Sequence, residues 1–335
     1  MSTLFSSIFT KINQISPLEC EFTEVLEAIA LKPKTLYFRG KIPENVSKTS
    51  KQKPEQTRTV RPKSVAIVGS RHNTKYGEEV AYKLAYELGK RGVVVVSGLA
   101  YGIDSIAHRG CLASNGVTVA ILGTPINHIY PTTHTDLARE IIAKNGAIIS
   151  EYAPHTSEYD SVELAPGEYY DKSGKRAQDP KGSFLYRNRL ISGLADIVVI
   201  IEAAEQSGSL NTATHAIEQG KTVFAVPGNI TNPHSQGCNK LIKQGAIPYT
   251  GPDDVLHELF PEDYVKKRRK LHQQSLIGDT DVETLVLVAL SNGLRAGEQV
   301  MAATHLPPEI FNQTTSLLEI KGKIRSLGGN NWALI

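Results

Sequence analysis

Six short apolar runs set the tightest limit on how this chain can fold. They are VAIVGS (65–70), VVVVSG (93–98), VTVAILG (117–123), AIISEY (147–152), IVVIIEA (197–203) and TVFAVPG (222–228). All are rich in β-branched residues and none alternates apolar with polar side chains. A strand that hides one face alternates; an unbroken run belongs to a strand covered on both faces, as in a parallel sheet. The stretches between them read as helices. Over 76–91, Val80, Leu84 and Leu88 recur every four residues, and Gly92 follows as a stop. Strand and helix in alternation mean βαβ units, hence an α/β chain with a doubly wound, mostly parallel sheet.

The rest of the 335 residues divides around that core, 64–260. Residues 1–40 hold a short helix around 22–29 and a short strand, TLYFRG (35–40). The insert 41–63 has no apolar period and is rich in Lys, Ser, Thr, Gln and Pro, so it reads as flexible. A second aperiodic stretch, 153–183, interrupts the core as a long loop. After a basic linker, 261–279, the segments 282–291, 297–304 and 307–320 read as three helices. A hairpin turning at Gly328, Gly329 and Asn330 closes the chain, which gives 280–335 a winged-helix outline.

The net charge of +3 conceals two basic strips. Residues 41–64 carry seven Lys or Arg against two Glu, and 266–270 is Lys-Lys-Arg-Arg-Lys, so the remainder is net acidic. Such strips meet a polyanion or are merely solvated linkers, and charge alone does not choose. Cys20, Cys111 and Cys238 lie far apart without C-x-x-C spacing, which points to a reducing compartment and away from zinc. The opening MSTLFSSIFTKINQ has neither the basic start nor the apolar run of a signal peptide, and no segment has transmembrane length. The expectation is a cytoplasmic protein with no membrane partner, no metal and no cofactor.

In an open parallel sheet, ligands bind beyond the carboxyl ends of the strands. The first run leads into Gly69, Ser70 and Arg71, and the second into Ser97, Gly98, Leu99, Ala100, Tyr101, Gly102 and Asp104. The fifth leads into Glu202 and then Ser207, Gly208, Ser209 and Thr212. Glycines let backbone amides approach an anion, the following helix points its positive end at it, and Arg71 adds a fork suited to phosphate. Familiar nucleotide motifs fail. There is no G-x-G-x-x-G, QGKT at 219–222 precedes a strand and has His215 where a Walker loop needs Gly, and no G-x-S-x-G occurs.

Asp104 and Glu202 have two readings each: hydrogen-bond acceptors that fix a turn, or general acids or bases acting on a nucleotide sugar. FLYRNRLISGLAD (184–196) places Arg187, Asn188 and Arg189 at the start of a helix, where the dipole disfavours cations unless an anion is shared. Lys240 and Lys243 stand three apart on one helical face and could carry a strand's backbone onward. Tyr76, Tyr101, Phe184 and Tyr186 are candidate stacking faces beside these cations.

At these residues the sequence resembles the DNA-processing protein A family (DprA, or Smf). The matching motifs are VAIVGSR, YG at 76–77, VVSGLAYGIDSIAHRG, LGT, IYP, SEY, RNRLISGLAD, EAAEQSGSLNTA, VPGNI and SQGCNKLIKQGA, in order over 65–255. The resemblance implies a Rossmann-like core that binds single-stranded DNA, forms a homodimer, hands the strand to a RecA-type recombinase during uptake of foreign DNA, and has no catalytic turnover. By motif, the strand-binding positions are Arg71, the 97–104 turn, Arg187, Arg189, the Ser207–Thr212 turn and Lys240. The alternatives are a nucleoside-monophosphate phosphoribohydrolase on a related core and a transcription factor acting through the tail. The first requires P-G-G-x-G-T-x-x-E, where this chain has EAAEQSGSLNTA; the second has only two Lys near the end of its reading segment.

Overall fold

The computed structural model describes residues 11–44, 61–154, 182–262 and 277–334, and the backbone alone at 169–170, 176–177 and 180–181. Most of the insert 41–63, most of the loop 153–183 and the basic run 266–270 lie outside the described residues. The chain divides into two compact units, Met1–Leu259 and Phe260–Ile335.

The strands of the first unit are β1 (Asn13–Ile15), β2 (Leu36–Gly40), β3 (Ser64–Val68), β4 (Val94–Ser97), β5 (Thr118–Leu122), β6 (Ala147–Ser150), the two-residue pair β7 (Tyr169–Tyr170) and β8 (Arg176–Ala177), β9 (Ile197–Ile200), β10 (Thr222–Ala225) and β11 (Ile247–Pro248). Nine of them form one sheet in the order β1-β2-β6-β5-β4-β3-β9-β10-β11. Every pairing from β6 to β11 is parallel. The N-terminal segment adds an antiparallel border, β2 on β6 and β1 on β2. The six apolar runs are thus β3 to β6, β9 and β10. The sequence did not announce β1 or β11, whose three and two residues are too few to show a period.

The helices are α1 (Glu21–Glu24), α2 (Lys75–Lys90), α3 (Ile103–Ala113), α4 (Thr135–Ala143), α5 (Pro180–Leu194), α6 (Gly208–Glu218), α7 (Gln236–Lys243) and α8 (Pro252–Leu259). The Thr74 side chain caps α2 by accepting from the Gly77 amide, and Gly92, with φ of +72°, follows its end. Successive residues of β5 serve opposite faces. Val119 and Ile121 join Leu190, Ile191 and Leu194 of α5 with Phe22, Leu26 and Leu36. Ala120 and Leu122 join Leu137, Ile141 and Ile142 of α4. Each such aliphatic side chain withdrawn from water contributes about 1.5–3 kcal/mol, which explains why the runs needed no polar face.

One expectation about α5 is corrected. The helix begins at Pro180, a residue suited to a first helical turn. Arg187 and Arg189 therefore lie in its middle, and the argument from cations at a positive helix end does not apply to them.

The second unit runs α9 (Asp281–Ser291), α10 (Gly297–Thr304), α11 (Pro308–Ile320), β12 (Ile324–Gly328) and β13 (Asn331–Leu334). Val286, Leu287, Leu290, Val300, Phe311, Leu318 and Ile324 form its core. Lys321 Nζ bridges Asp279 and Glu283 at 2.7 and 2.6 Å, tying the end of α11 to the start of α9. Among the described residues, no helix is long and apolar enough to cross a membrane.

Candidate nucleic-acid interface

Parallel strands end on one side, so the turns that follow β3, β4, β5, β9 and β10 make a common rim. The order reverses at β3: β4, β5 and β6 build to one side and β9, β10 and β11 to the other. Neighbouring connections diverge there and leave a crevice between the ends of β3 and β9.

Main-chain contacts join the turns. The Ile103 amide donates to the Ser70 carbonyl at 3.2 Å, which seats the β4 turn on the β3 turn. Gly102, with φ of +73°, is required at this contact, because a Cβ there would stand 2.3 Å from the Ser70 oxygen. Across the crevice, Glu202 accepts from the Thr74 amide at 2.8 Å and the Thr74 hydroxyl at 2.5 Å. Tyr76 donates its hydroxyl to the Pro227 carbonyl at 3.0 Å. The Ala203 amide donates to His234, and Asn239 holds both polar groups of Gly228.

Beneath the β4 turn is a buried charge pair. Asp104, 6% exposed, accepts from the amides of Gly98 at 3.1 Å and Ala100 at 3.4 Å. Burial pushes its carboxyl above the usual range, against the pull of Arg187 and Arg71. Arg187, 4% exposed, rises from α5 and donates to the carbonyls of Gly98, at 2.8 Å, and Ile121. Burial lowers it to about 10 while Asp104 acts in the other direction. Ser97 is equally internal, donating to the Ile67 carbonyl at 2.7 Å. His134 Nδ1 donates to the carbonyl of Leu99, which holds a left-handed φ of 58°.

The structure sorts the sequence-derived positions into groups. Gly69, Ser70, Arg71, Ser97, Gly98, Ala100, Tyr101, Gly102, Asp104 and Arg187 converge on the joined β3 and β4 turns. Of these, Arg71 and Tyr101 are exposed. Asn188, Ser207, Gly208, Ser209 and Thr212 meet at the start of α6, where Asn188 Nδ2 donates to the Gly208 carbonyl and to Asn211. The Ser207 side chain caps that helix by accepting from the Ser209 amide. Lys240 is exposed and pairs with Glu205 at 3.6 Å, while Lys243 lies in the last turn of α7.

Arg189 is not part of this convergence. It is 2% exposed, forms an ion pair with Glu151 at 2.7 Å, donates to the Leu31 carbonyl at 2.8 Å and packs 3.8 Å from the Tyr186 ring centre. Phe184 is half-buried, with the guanidinium carbons of Arg71 and Arg187 at 5.5 and 5.9 Å from its ring centre. Asp104 and Glu202 both hold turn amides, the first of the two readings open to them. The exposed His72 and Lys75 went unread, although they adjoin Arg71 in GSRHNTKYG.

The sequence matches the family profile for DNA recombination-mediator protein A over residues 13–162 and 168–260. Protein Smf of Escherichia coli (strain K12) is 43% identical over 195 residues, 58% of this chain and 46% of that protein. DNA processing protein DprA of Bacillus subtilis (strain 168) is 36% identical over 207 residues, 62% of this chain and 62% of that protein. The matched stretch spans less than two thirds of either relative. Among solved structures, DNA processing protein A from Streptococcus pneumoniae aligns with a TM-score of 0.57 at 31% identity, covering 77% of this chain and 78% of the other. DNA processing protein A from Helicobacter pylori, whose structure concerns a single-stranded DNA binding mode, aligns at 0.55 and 29% identity over 75% of this chain and 97% of the other. Profile, relatives and architecture agree over the same α/β unit, and the chain belongs to the DNA recombination-mediator protein A family.

Proposed function

We propose that the rim formed by the β3 and β4 turns binds the sugar–phosphate backbone of single-stranded DNA, and that the protein is a recombination mediator without catalytic turnover. One observation carries this reading: Arg71 stands exposed over glycine turns whose carboxylates, Asp104 and Glu202, are turned inward onto main-chain amides. A rim with an exposed guanidinium and inward-turned carboxylates attracts phosphate. The single-stranded DNA binding of the Helicobacter pylori relative supports the same ligand. In this role the protein acts in the cytoplasm as a homodimer, protects incoming strands and loads a RecA-type recombinase. The winged-helix reading of 280–335 and the division into a 1–40 segment, insert, core, linker and tail belong to the same proposal.

The test is fluorescence anisotropy with single- and double-stranded oligonucleotides of one length across a salt series. The expected result is preference for the single strand, with log K falling linearly in log salt. Equal affinity for both forms, or binding indifferent to salt, would overturn it. Stimulation of strand exchange by a RecA-type recombinase tests the loading step, and no stimulation would remove that step.

A further inference from the structure

The segment after β5, residues 124–134, borders the rim on the side away from β9. Thr124 Oγ1 donates to the His128 carbonyl at 2.7 Å, so the segment folds back on itself. Its far end is fixed to the β4 turn, because His134 Nδ1 donates to the Leu99 carbonyl at 2.8 Å and Thr133 Oγ1 donates to the Tyr101 hydroxyl at 3.1 Å. Between these anchors stands Tyr130, 38% exposed.

Tyr130 backs onto Phe184, with ring centres 5.4 Å apart and planes at 39°. Phe184 itself is half-buried: it rests on Gly123, where a Cβ would come within 2.7 Å of the ring, and also meets Arg71 and Arg187. An exposed aromatic ring and an exposed guanidinium thus share one neighbour, each within 5.5 Å of its ring centre. An unpaired nucleotide presents the complementary pair, a flat π-face and an adjoining negative phosphate. In the duplex that face is stacked between base pairs and out of reach.

We propose that Tyr130 is the stacking face for an unpaired base whose phosphate is held at Arg71. The bound strand then passes from the β3 turn across the Phe184 region to the end of β5. This rests on the single-strand reading of the rim and assigns it a residue and a direction. Stacking on a tyrosine tolerates any base, so the contact favours unpaired strands without reading sequence.

The experiment compares full-length wild type, Tyr130→Leu and Tyr130→Phe on a thymidine oligonucleotide and on an abasic strand of the same length, at several salt concentrations. Tyr130→Leu is expected to lose roughly tenfold in affinity for the thymidine strand, with an unchanged salt slope and unchanged affinity for the abasic strand. Tyr130→Phe, which keeps the ring, retains wild-type binding. Wild-type affinity in Tyr130→Leu, an equal loss on both strands, or failure of Tyr130→Phe to bind overturns the assignment of Tyr130 alone. Wild type binding neither strand takes down the single-strand reading, and this assignment with it.

Discussion

The guanidinium of Arg187 lies against Gly98: it donates to that residue's carbonyl at 2.8 Å, and a methyl group added at Gly98 would stand 2.6 Å from its nitrogens. A cation is thereby placed under the turn whose amides Asp104 holds from the same side. Glycine here serves close approach, while at Gly102 it serves a positive φ as well.

Substitution at these two glycines should separate the effects. Gly98→Ala is expected to destabilise by about 1–3 kcal/mol, as overpacking against a pinned side chain does. Gly102→Ala adds backbone strain of about 1–3 kcal/mol to a clash with main-chain atoms that cannot swing away. Urea denaturation should rank Gly102→Ala as the more damaging.

Removing Arg187 takes from the buried Asp104 the larger of the two guanidinium fields acting on it and removes a donor to the Gly98 and Ile121 carbonyls. Arg187→Met is expected to cost about 1–3 kcal/mol. Combining it with Asp104→Asn should recover part of that loss, which a double-mutant cycle in urea would read as a coupling energy. Strict additivity would show that the two charges do not interact.

Acid stability should depend on His108. Its side chain is fully buried; the Thr118 hydroxyl donates to the Val95 carbonyl and therefore accepts from His108 Nδ1, which leaves Nε2 bare and unpartnered. Burial pushes the imidazole down from 6.5 to about 3. Between those values the unfolded chain binds a proton that the folded protein refuses, so stability falls as pH falls, by about 1.4 kcal/mol per pH unit for this one group. Unfolding free energies measured between pH 6 and 4 should show that slope, and His108→Gln should flatten it.

Arg71 and Arg189 should behave differently although both come from motifs of the family. Arg71→Ala is expected to weaken single-strand binding at least tenfold, about 1.4 kcal/mol, and to lower the salt slope by about one. Arg189→Ala should leave the slope unchanged and lower stability, since its partners are Glu151 and the Leu31 carbonyl. Anisotropy titrations across salt, set beside thermal melts, distinguish the two.

The sheet was legible because its central strands are buried on both faces, so each reads as an unbroken β-branched run. The joined turns were legible for a related reason, since Gly69, Gly98 and Gly102 stand where the main chain meets the Ile103 side chain, a buried guanidinium and another stretch of main chain, respectively. Arg187 was legible as a position but not as an environment. The usable signal was its spacing of three, four and seven from Leu190, Ile191 and Leu194, which puts it on the buried stripe of α5. Pro180 announced the true start of that helix but was absorbed into an aperiodic stretch. Tyr130 was read only as part of the motif IYP, with no role, because it lies eight residues beyond the end of β5 and only folding brings it to Phe184. Of the basic strips only the ends of 41–64 can be compared: Arg61 pairs with Asp196 at 2.6 Å and Lys41 with Glu44 at 3.7 Å, while 45–60 and 266–270 fall outside the described residues.

The main-chain ties between crossover turns have an entropic consequence. On the proposed single-strand reading, turns already tied to one another in the free protein leave most of the freedom lost on docking to be surrendered by the polymer rather than by these turns.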